Sequence, residues 1–365
     1  MSSAQQTSPP ATQVTAAQVV VESLLRSGIS GGFGIPSIHN IGLYDALRQE
    51  PRFRHWIVRH EQAAVFAADG FYRASGRPAA VFASTGPGNL FTVSPLLESY
   101  KTNTSLVLMG TNVAVQMLDK VCGALHETPQ QLDIFKPLTR FATRITSPGA
   151  IPEAIAAAAK AGGPAFIEIP HDVLVSPAAG SGELRTSEKP VALPFPEELG
   201  KAVKQIGQSR KPVLVVGSEV APEAAASVQR LAEMLQSPVM TTTSGKGVIA
   251  DDHPLAMGCI SRLGLAQELL LESDLLISVG ARFTEFDTGR YTLRVPASYI
   301  QIEQDLSHAG WQLPFTARLI GEIGAITQNL SAATQKKPAW YQVSAKRAAE
   351  NEKLKALRAE PYELW

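Results

Sequence analysis

Three short turns hold the residues best placed to do chemistry: Gly34-Ile35-Pro36, Arg59-His60-Glu61 and Ser84-Thr85-Gly86-Pro87-Gly88-Asn89. Each follows a short apolar run. In a parallel α/β sheet the strand C-termini share one edge, and ligands bind outside it, so the three turns are expected to face one crevice. The Gly-Pro-Gly turn lets backbone approach a flat ligand closely, because glycine has no Cβ to hold it away. Glu61 would enter the crevice at a helix N-terminus, where the dipole favours a carboxylate and burial against an apolar wall opposes it. Taken singly, an acid in a first helical turn is ordinary dipole complementation, and Gly-Pro-Gly is an ordinary turn. Their order and spacing make them a candidate site.

Other chemistries fail on spacing. His60-Glu61-Gln62-Ala63-Ala64 opens like a zinc-protease helix but has Ala64 where the second histidine belongs, and His126-Glu127-Thr128-Pro129-Gln130 fails the same way. The sequence has no P-loop and no complete G-x-G-x-x-G, which removes support for phosphoryl transfer and simple dinucleotide binding. Cys122 and Cys259 lie far apart, so neither a disulfide framework nor a zinc site is suggested. Buried free thiols are expected instead. With 33 Lys and Arg against 33 Asp and Glu, the chain lacks the positive field that a nucleic acid or an anionic membrane requires. No basic leader or membrane-length apolar run is seen, so a cytoplasmic protein is expected.

The elements that must position the turns follow from periodicity. After a polar tail over 1–13, apolar positions recur at helical spacing through Ala17, Val20, Val21, Leu24 and Leu25, with Gly28 at a C-cap. Strands are expected at 32–35, 56–58, 79–83, 106–109 and 165–169, and helices at 43–48, 62–74 and 152–161. A linker rich in Ser, Gly and Pro covers 179–196. Beyond it come strands at 213–216, 239–241, 275–279 and 299–302, helices at 223–235 and 263–272, and a charged helical tail over 333–365. This is an α/β chain of two consecutive domains, 14–178 and 197–332, each a mostly parallel sheet with helices on both faces.

The run from Ile57 to Pro78, containing Arg59-His60-Glu61-Gln62-Ala63-Ala64, is similar to the pyrimidine-binding domain of the acetolactate-synthase and 2-oxoacid-decarboxylase family of thiamine-diphosphate enzymes. So are Ser84 to Asn89, the following Glu98-Ser99-Tyr100, and Gly162 to Val173. Lys211 to Gly217, Asp251-Asp252-His253-Pro254-Leu255 and Gly280-Ala281-Arg282-Phe283 resemble the family's central, Rossmann-like domain.

The resemblance implies that Glu61 hydrogen-bonds N1′ of the cofactor's pyrimidine, raising the basicity of its exocyclic amine. It further implies that Pro36, Thr85, Gly86 and Asn89 line the pyrimidine pocket. His126, in Leu125-His126-Glu127 where acetolactate synthases have Phe-Gln-Glu, would face the reacting carbonyl and could move a proton near neutral pH. A surface or capping histidine is the alternative. The implied reaction is decarboxylation of a 2-oxo acid with carboligation. The family binds Mg²⁺ and the diphosphate through a Gly-Asp-Gly segment, which this sequence lacks. A partner chain is therefore expected to supply the Mg²⁺ ligands, in a dimer or an α₂β₂ assembly. The alternatives are a non-catalytic, regulatory subunit, against which Glu61 argues, or a simple decarboxylase subunit. Thr284-Glu285-Phe286 stands where acetolactate synthases have Asp-Asp-Arg, leaving FAD possible but unsupported.

Overall fold

The computed structural model describes residues 14–178, 194–261, 263–304 and 313–359. The expected tail over 1–13 and most of the expected linker, 179–193, lie outside the described residues. The chain divides into two compact units, Met1–Ser187 and Glu188–Trp365.

In the first unit six strands, β1 Gly31–Gly34, β2 Arg54–Ile57, β3 Ala79–Ala83, β4 Leu106–Asn112, β5 Phe141–Arg144 and β6 Pro164–Pro170, form one sheet in the order β2-β1-β3-β4-β6-β5. Every pairing is parallel. The helices are α1 Ala16–Arg26, α2 Ile41–Gln49, α3 Glu61–Ser75, α4 Pro87–Leu90, α5 Val93–Thr102, α6 Gln131–Phe135, α7 Ile151–Ala159 and α8 His171–Val175. α1 begins at a capping box: Thr15 Oγ1 accepts from Gln18 N–H, and Thr15 N–H donates to Gln18 Oε1. It stops at Arg26, with Gly28 just beyond at φ +80°. Strands β3, β4 and β6 are buried along their whole length, as parallel strands covered on both faces must be. Val20, Leu24 and Ile155 pack one face, and Val65, Leu96 and Phe135 the other.

The second unit repeats the plan with β7 Pro212–Val216, β8 Val239–Thr241, β9 Ala256–Cys259, β10 Leu275–Val279, β11 Tyr299–Glu303 and β12 Ala317–Ile320, ordered β12-β11-β10-β7-β8-β9. This parallel order reverses direction between β7 and β10, as in dinucleotide-binding sheets. Its helices are α9 Pro196–Gln208, α10 Ala225–Leu235, α11 Leu263–Glu272, α12 Ile323–Ala332 and α13 Val343–Ala359.

The two-sheet α/β architecture agrees with the sequence reading. Strands β5, β9 and β12 and helices α4, α6, α8, α9 and α12 were not legible. Cys122 is exposed and Cys259 half-buried, both as free thiols, which overturns the expectation of buried ones. The apolar habit of cysteine loses here because Cys122 sits in a surface loop whose backbone N–H groups are drawn to Glu127.

At the end of β11 the Glu303 carboxyl is buried. Burial, then the charge of Glu219 and a hydrogen bond with it, hold its pKa well above the carboxylate range. A raised folded-state pKa means that the folded state binds more protons, so the stabilisation is complete below the unfolded pKa and is lost as pH rises. Stability of the chain measured by urea unfolding should therefore fall from pH 5 to pH 9, and Glu303→Gln should flatten that slope. A second expectation concerns the first core. Phe166 is fully buried and stacks on Phe135 with ring centroids 3.9 Å apart. Phe166→Ala should cost about 3–5 kcal/mol in the same measurement.

Candidate functional site

The turns after β1, β2 and β3 do gather at one edge of the first sheet. Glu61 is the first residue of α3, and His60 caps that helix by accepting the Gln62 N–H at Nδ1, 3.2 Å away. The helix is anchored from behind: buried Asp69 accepts from Arg73 Nε at 2.5 Å and from Ser99 Oγ of α5 at 2.8 Å. Glu61 itself is half-buried, and its carboxylate has no hydrogen-bond partner among the described residues. A Cβ added at Gly88 would lie 3.4 Å from Glu61 Oε1 and 2.9 Å from Ser84 Cβ. Glycine there keeps the approach to the carboxylate open. Below lies Tyr44, whose phenol is pushed far up by burial and then by the charge of Glu61. It stays protonated, with its buried hydroxyl oxygen unpartnered in the structure.

Pro36 is exposed on the turn after β1. Asn40 holds that turn, accepting the Ser37 N–H at 2.7 Å and donating to the Ile35 carbonyl at 3.1 Å. Ser37 Oγ then donates to Ser84 Oγ at 2.7 Å, tying the β1 turn to the β3 turn. Thr85 and Asn89 are fully buried and face β4: the Thr85 hydroxyl pairs with that of Thr111 at 3.0 Å, and Asn89 Nδ2 donates to the Thr111 carbonyl at 2.8 Å. These two side chains fix the turn, and what the turn presents outward is backbone. Gly86 takes φ +59°, and a Cβ there would come 2.2 Å from the His126 carbonyl oxygen. The Gly-Pro-Gly turn and the His126 loop are thus in direct backbone contact. His126 is exposed at φ +61°, while Glu127 turns back to accept N–H groups of Cys122, Gly123 and Ala124.

Sequence reading missed the residues that hold this edge together. The Gly86 N–H donates to Gln131 Oε1 at 3.0 Å. Gln131 Nε2 donates to Glu168 Oε1 at 2.8 Å, and Asn112 Nδ2 donates to the same oxygen at 2.9 Å. Arg144 Nε pairs with the other oxygen of Glu168, and Arg144 Nη1 reaches Asp119 at 2.6 Å. Glu168 lies in an otherwise apolar strand, a break in pattern that is the one available signal. Also missed was His39, which stands between His126 and His171 with ring centroids 5.6 and 5.4 Å away.

In the second unit, the crevice between β7 and β10 is filled by the protein itself. A Cβ on Gly217 would fall 2.0 Å from the Gly280 carbonyl oxygen, and Arg282 Nε lies 3.3 Å from Glu219. A surface cleft of about 440 Å³, lined by Gln229, Arg230, Glu233 and Lys336, lies on that unit along α10. Among the described residues no helix is long and apolar enough to cross a membrane.

Comparison with known proteins gives two family matches: the thiamine pyrophosphate enzyme N-terminal TPP binding domain over residues 14–136 and the thiamine pyrophosphate enzyme central domain over 199–330. A Pseudomonas aeruginosa protein assigned as a 2-ketoarginine decarboxylase is 31% identical over 95% of this chain and 62% of its own. A Methanocaldococcus jannaschii protein assigned as an acetolactate synthase large subunit is 32% identical over 87% of this chain and 56% of its own. A crystal structure from Mycobacterium smegmatis, described as a thiamin diphosphate-dependent enzyme, superposes with a TM-score of 0.76 at 25% identity, covering 90% of this chain and 64% of that one. The chain thus spans about three-fifths of the length of the proteins it matches.

The buried network makes its own prediction. Glu168→Ala would leave Asn112 Nδ2 without its acceptor, while Arg144 keeps Asp119 and Gln131 keeps the Thr111 carbonyl, and should cost about 1–3 kcal/mol in chemical denaturation, whereas Glu168→Gln, which keeps one acceptor, should cost less.

Proposed function

Because the chain belongs to the thiamine-diphosphate-dependent, acetolactate-synthase-like family, we propose that its first unit supplies the pyrimidine side of an active site that decarboxylates a 2-oxo acid and joins the product to a second carbonyl compound. The observation that carries this reading is the Glu61 carboxylate, half-buried at a helix N-terminus, without a hydrogen-bond partner, and kept accessible by Gly88. Those residues fit an aminopyrimidine: a carboxyl group for the ring nitrogen and glycine backbone against which a flat ring can lie. Thiamine diphosphate, when bound, supplies the electron sink for loss of CO₂.

The chain's own part is to bind, orient and move protons. Glu61 holds the proton shared with N1′ of the pyrimidine, and its position is fixed by the His60 cap and by Asp69. The Gly86-Pro87-Gly88 turn, with Pro36 on the neighbouring turn, forms the pyrimidine wall, while Thr85 and Asn89 keep that turn in place from within. His126, exposed on a loop pinned to Gly86, moves a proton at the reacting carbonyl. The diphosphate and its Mg²⁺ would be held by groups outside residues 14–330, which contain no Gly-Asp-Gly; a partner chain in a dimer or α₂β₂ assembly is the source we propose. Simple decarboxylation is the second reading, favoured by the exposed imidazole of His126, which can deliver a proton where a ligase would accept a second carbonyl.

The test is co-purification with the product of the neighbouring gene, followed by cofactor-dependent CO₂ release from pyruvate by each chain and by the mixture. Turnover by the mixture that falls about 10²–10⁴-fold in Glu61→Gln supports the reading. Turnover insensitive to Glu61 removes it. Product analysis separates the two reactions: a 2-hydroxy ketone marks carboligation, an aldehyde marks decarboxylation alone.

A further inference from the structure

Three imidazoles meet at the mouth of the first unit. His39 comes from the turn after β1, His126 from the loop after β4, and His171 from the first position of α8, just past β6. His39 is the middle one, with ring centroids 5.6 Å to His126 and 5.4 Å to His171. Its Nδ1 is buried and has no hydrogen-bond partner. A buried polar atom without a partner costs free energy, so it points to something the site receives.

No acid neutralises this cluster. The two carboxylates adjacent in sequence are committed elsewhere: Glu127 accepts backbone N–H groups of residues 122, 123 and 124, and Asp172 accepts those of Val115 and Val173. Among the described residues none of the three rings enters a salt bridge, and the charged groups acting on His39 are the other two histidines. Burial first, then His171 and His126, hold its pKa below the ordinary imidazole value. Groups of His, Cys, Asp and Glu arranged to hold a metal ion are absent among the described residues. What the cluster lacks is a negative charge. An anion placed among the rings would reverse the repulsion, so that protonated imidazoles become hydrogen-bond donors to it.

We infer that His39, His126 and His171 form a subsite for the carboxylate of a small organic acid, and that the acid binds together with a proton taken up by the cluster. The subsite deepens the reading above, because a 2-oxo acid carries its carboxylate next to the carbonyl that His126 would serve. His39 acts as a specificity residue: it accepts acids and gives nothing to their esters. Since burial and the two neighbouring rings disfavour the charged form of His39 until an anion arrives, affinity for the acid must rise as pH falls toward the imidazole range.

The experiment uses the full chain labelled with ¹³C at histidine Cε1 and no thiamine diphosphate, so the readout is independent of turnover. The three resonances are assigned with His39→Gln, His126→Gln and His171→Gln, and pH titrations are run with pyruvate, with methyl pyruvate and with chloride at matched ionic strength. The expected result is that pyruvate raises the midpoints of His39 and at least one neighbour. Its apparent Kd should tighten several-fold for each unit that pH falls from 8 to 6, and methyl pyruvate should leave the midpoints unchanged. His39→Gln, whose folding is checked by unchanged circular dichroism, should lose the pH dependence of binding. The inference is overturned if pyruvate moves none of the three resonances, if chloride or methyl pyruvate moves them equally, or if His39→Gln binds pyruvate with unaltered affinity and pH dependence. Cofactor-dependent CO₂ release with silent imidazoles would sink the subsite alone. Responsive imidazoles without any turnover would sink the catalytic reading and keep the subsite.

Discussion

One buried carboxylate organises the first unit. Glu168 lies inside a strand whose other residues are buried, where an unpaired charge would be prohibitive. It is tolerated because donors from three elements close on it: Asn112 from β4, Gln131 from α6 and Arg144 from β5. Satisfying Glu168 therefore fixes an edge strand, a helix and a central strand at once. Gln131 passes that constraint to the Gly86 N–H, and the Gly86 turn fixes the backbone of the His126 loop. The Gly86 turn and the His126 loop are thus positioned from inside the sheet.

The legible part of the fold was the part that hydrophobic burial dictates. β3, β8, β10 and α11 follow the apolar runs residue for residue, because strands and helices packed between layers leave little room for polar positions. The three missed strands are those where burial is partial or the run is short. Phe141-Ala142-Thr143-Arg144 is half-buried throughout on a sheet edge, Ala256 to Cys259 includes a register shift at its junction with β8, and Ala317 to Ile320 alternates buried and half-buried positions. At the candidate site, turns were readable and side-chain direction was not. Thr85 and Asn89 carry the polarity of ligand-binding residues but use it on β4. His39, His126 and His171 are separated by long stretches of chain, and only the shared strand edge brings them together, so no spacing rule could have found them.

The electrostatics of the site rest on contrast rather than on net charge, which is zero for the whole sequence. On one side stands an acid without a partner, above a tyrosine that keeps its proton. On the other stand three bases without an acid. A ligand that brought a hydrogen-bonding nitrogen to the first and a carboxylate to the second would satisfy both halves.

The left-handed backbone at His126 has a bearing on how the family could diverge. With φ at +61° and its carbonyl pressed against Gly86, that residue sits in a conformation that few side chains accept, histidine, asparagine and aspartate being among those that do. Drift at this position is thus biased toward a short alphabet of polar side chains and glycine. Variation there would exchange one polar head for another while the backbone stem against Gly86 stays as it is.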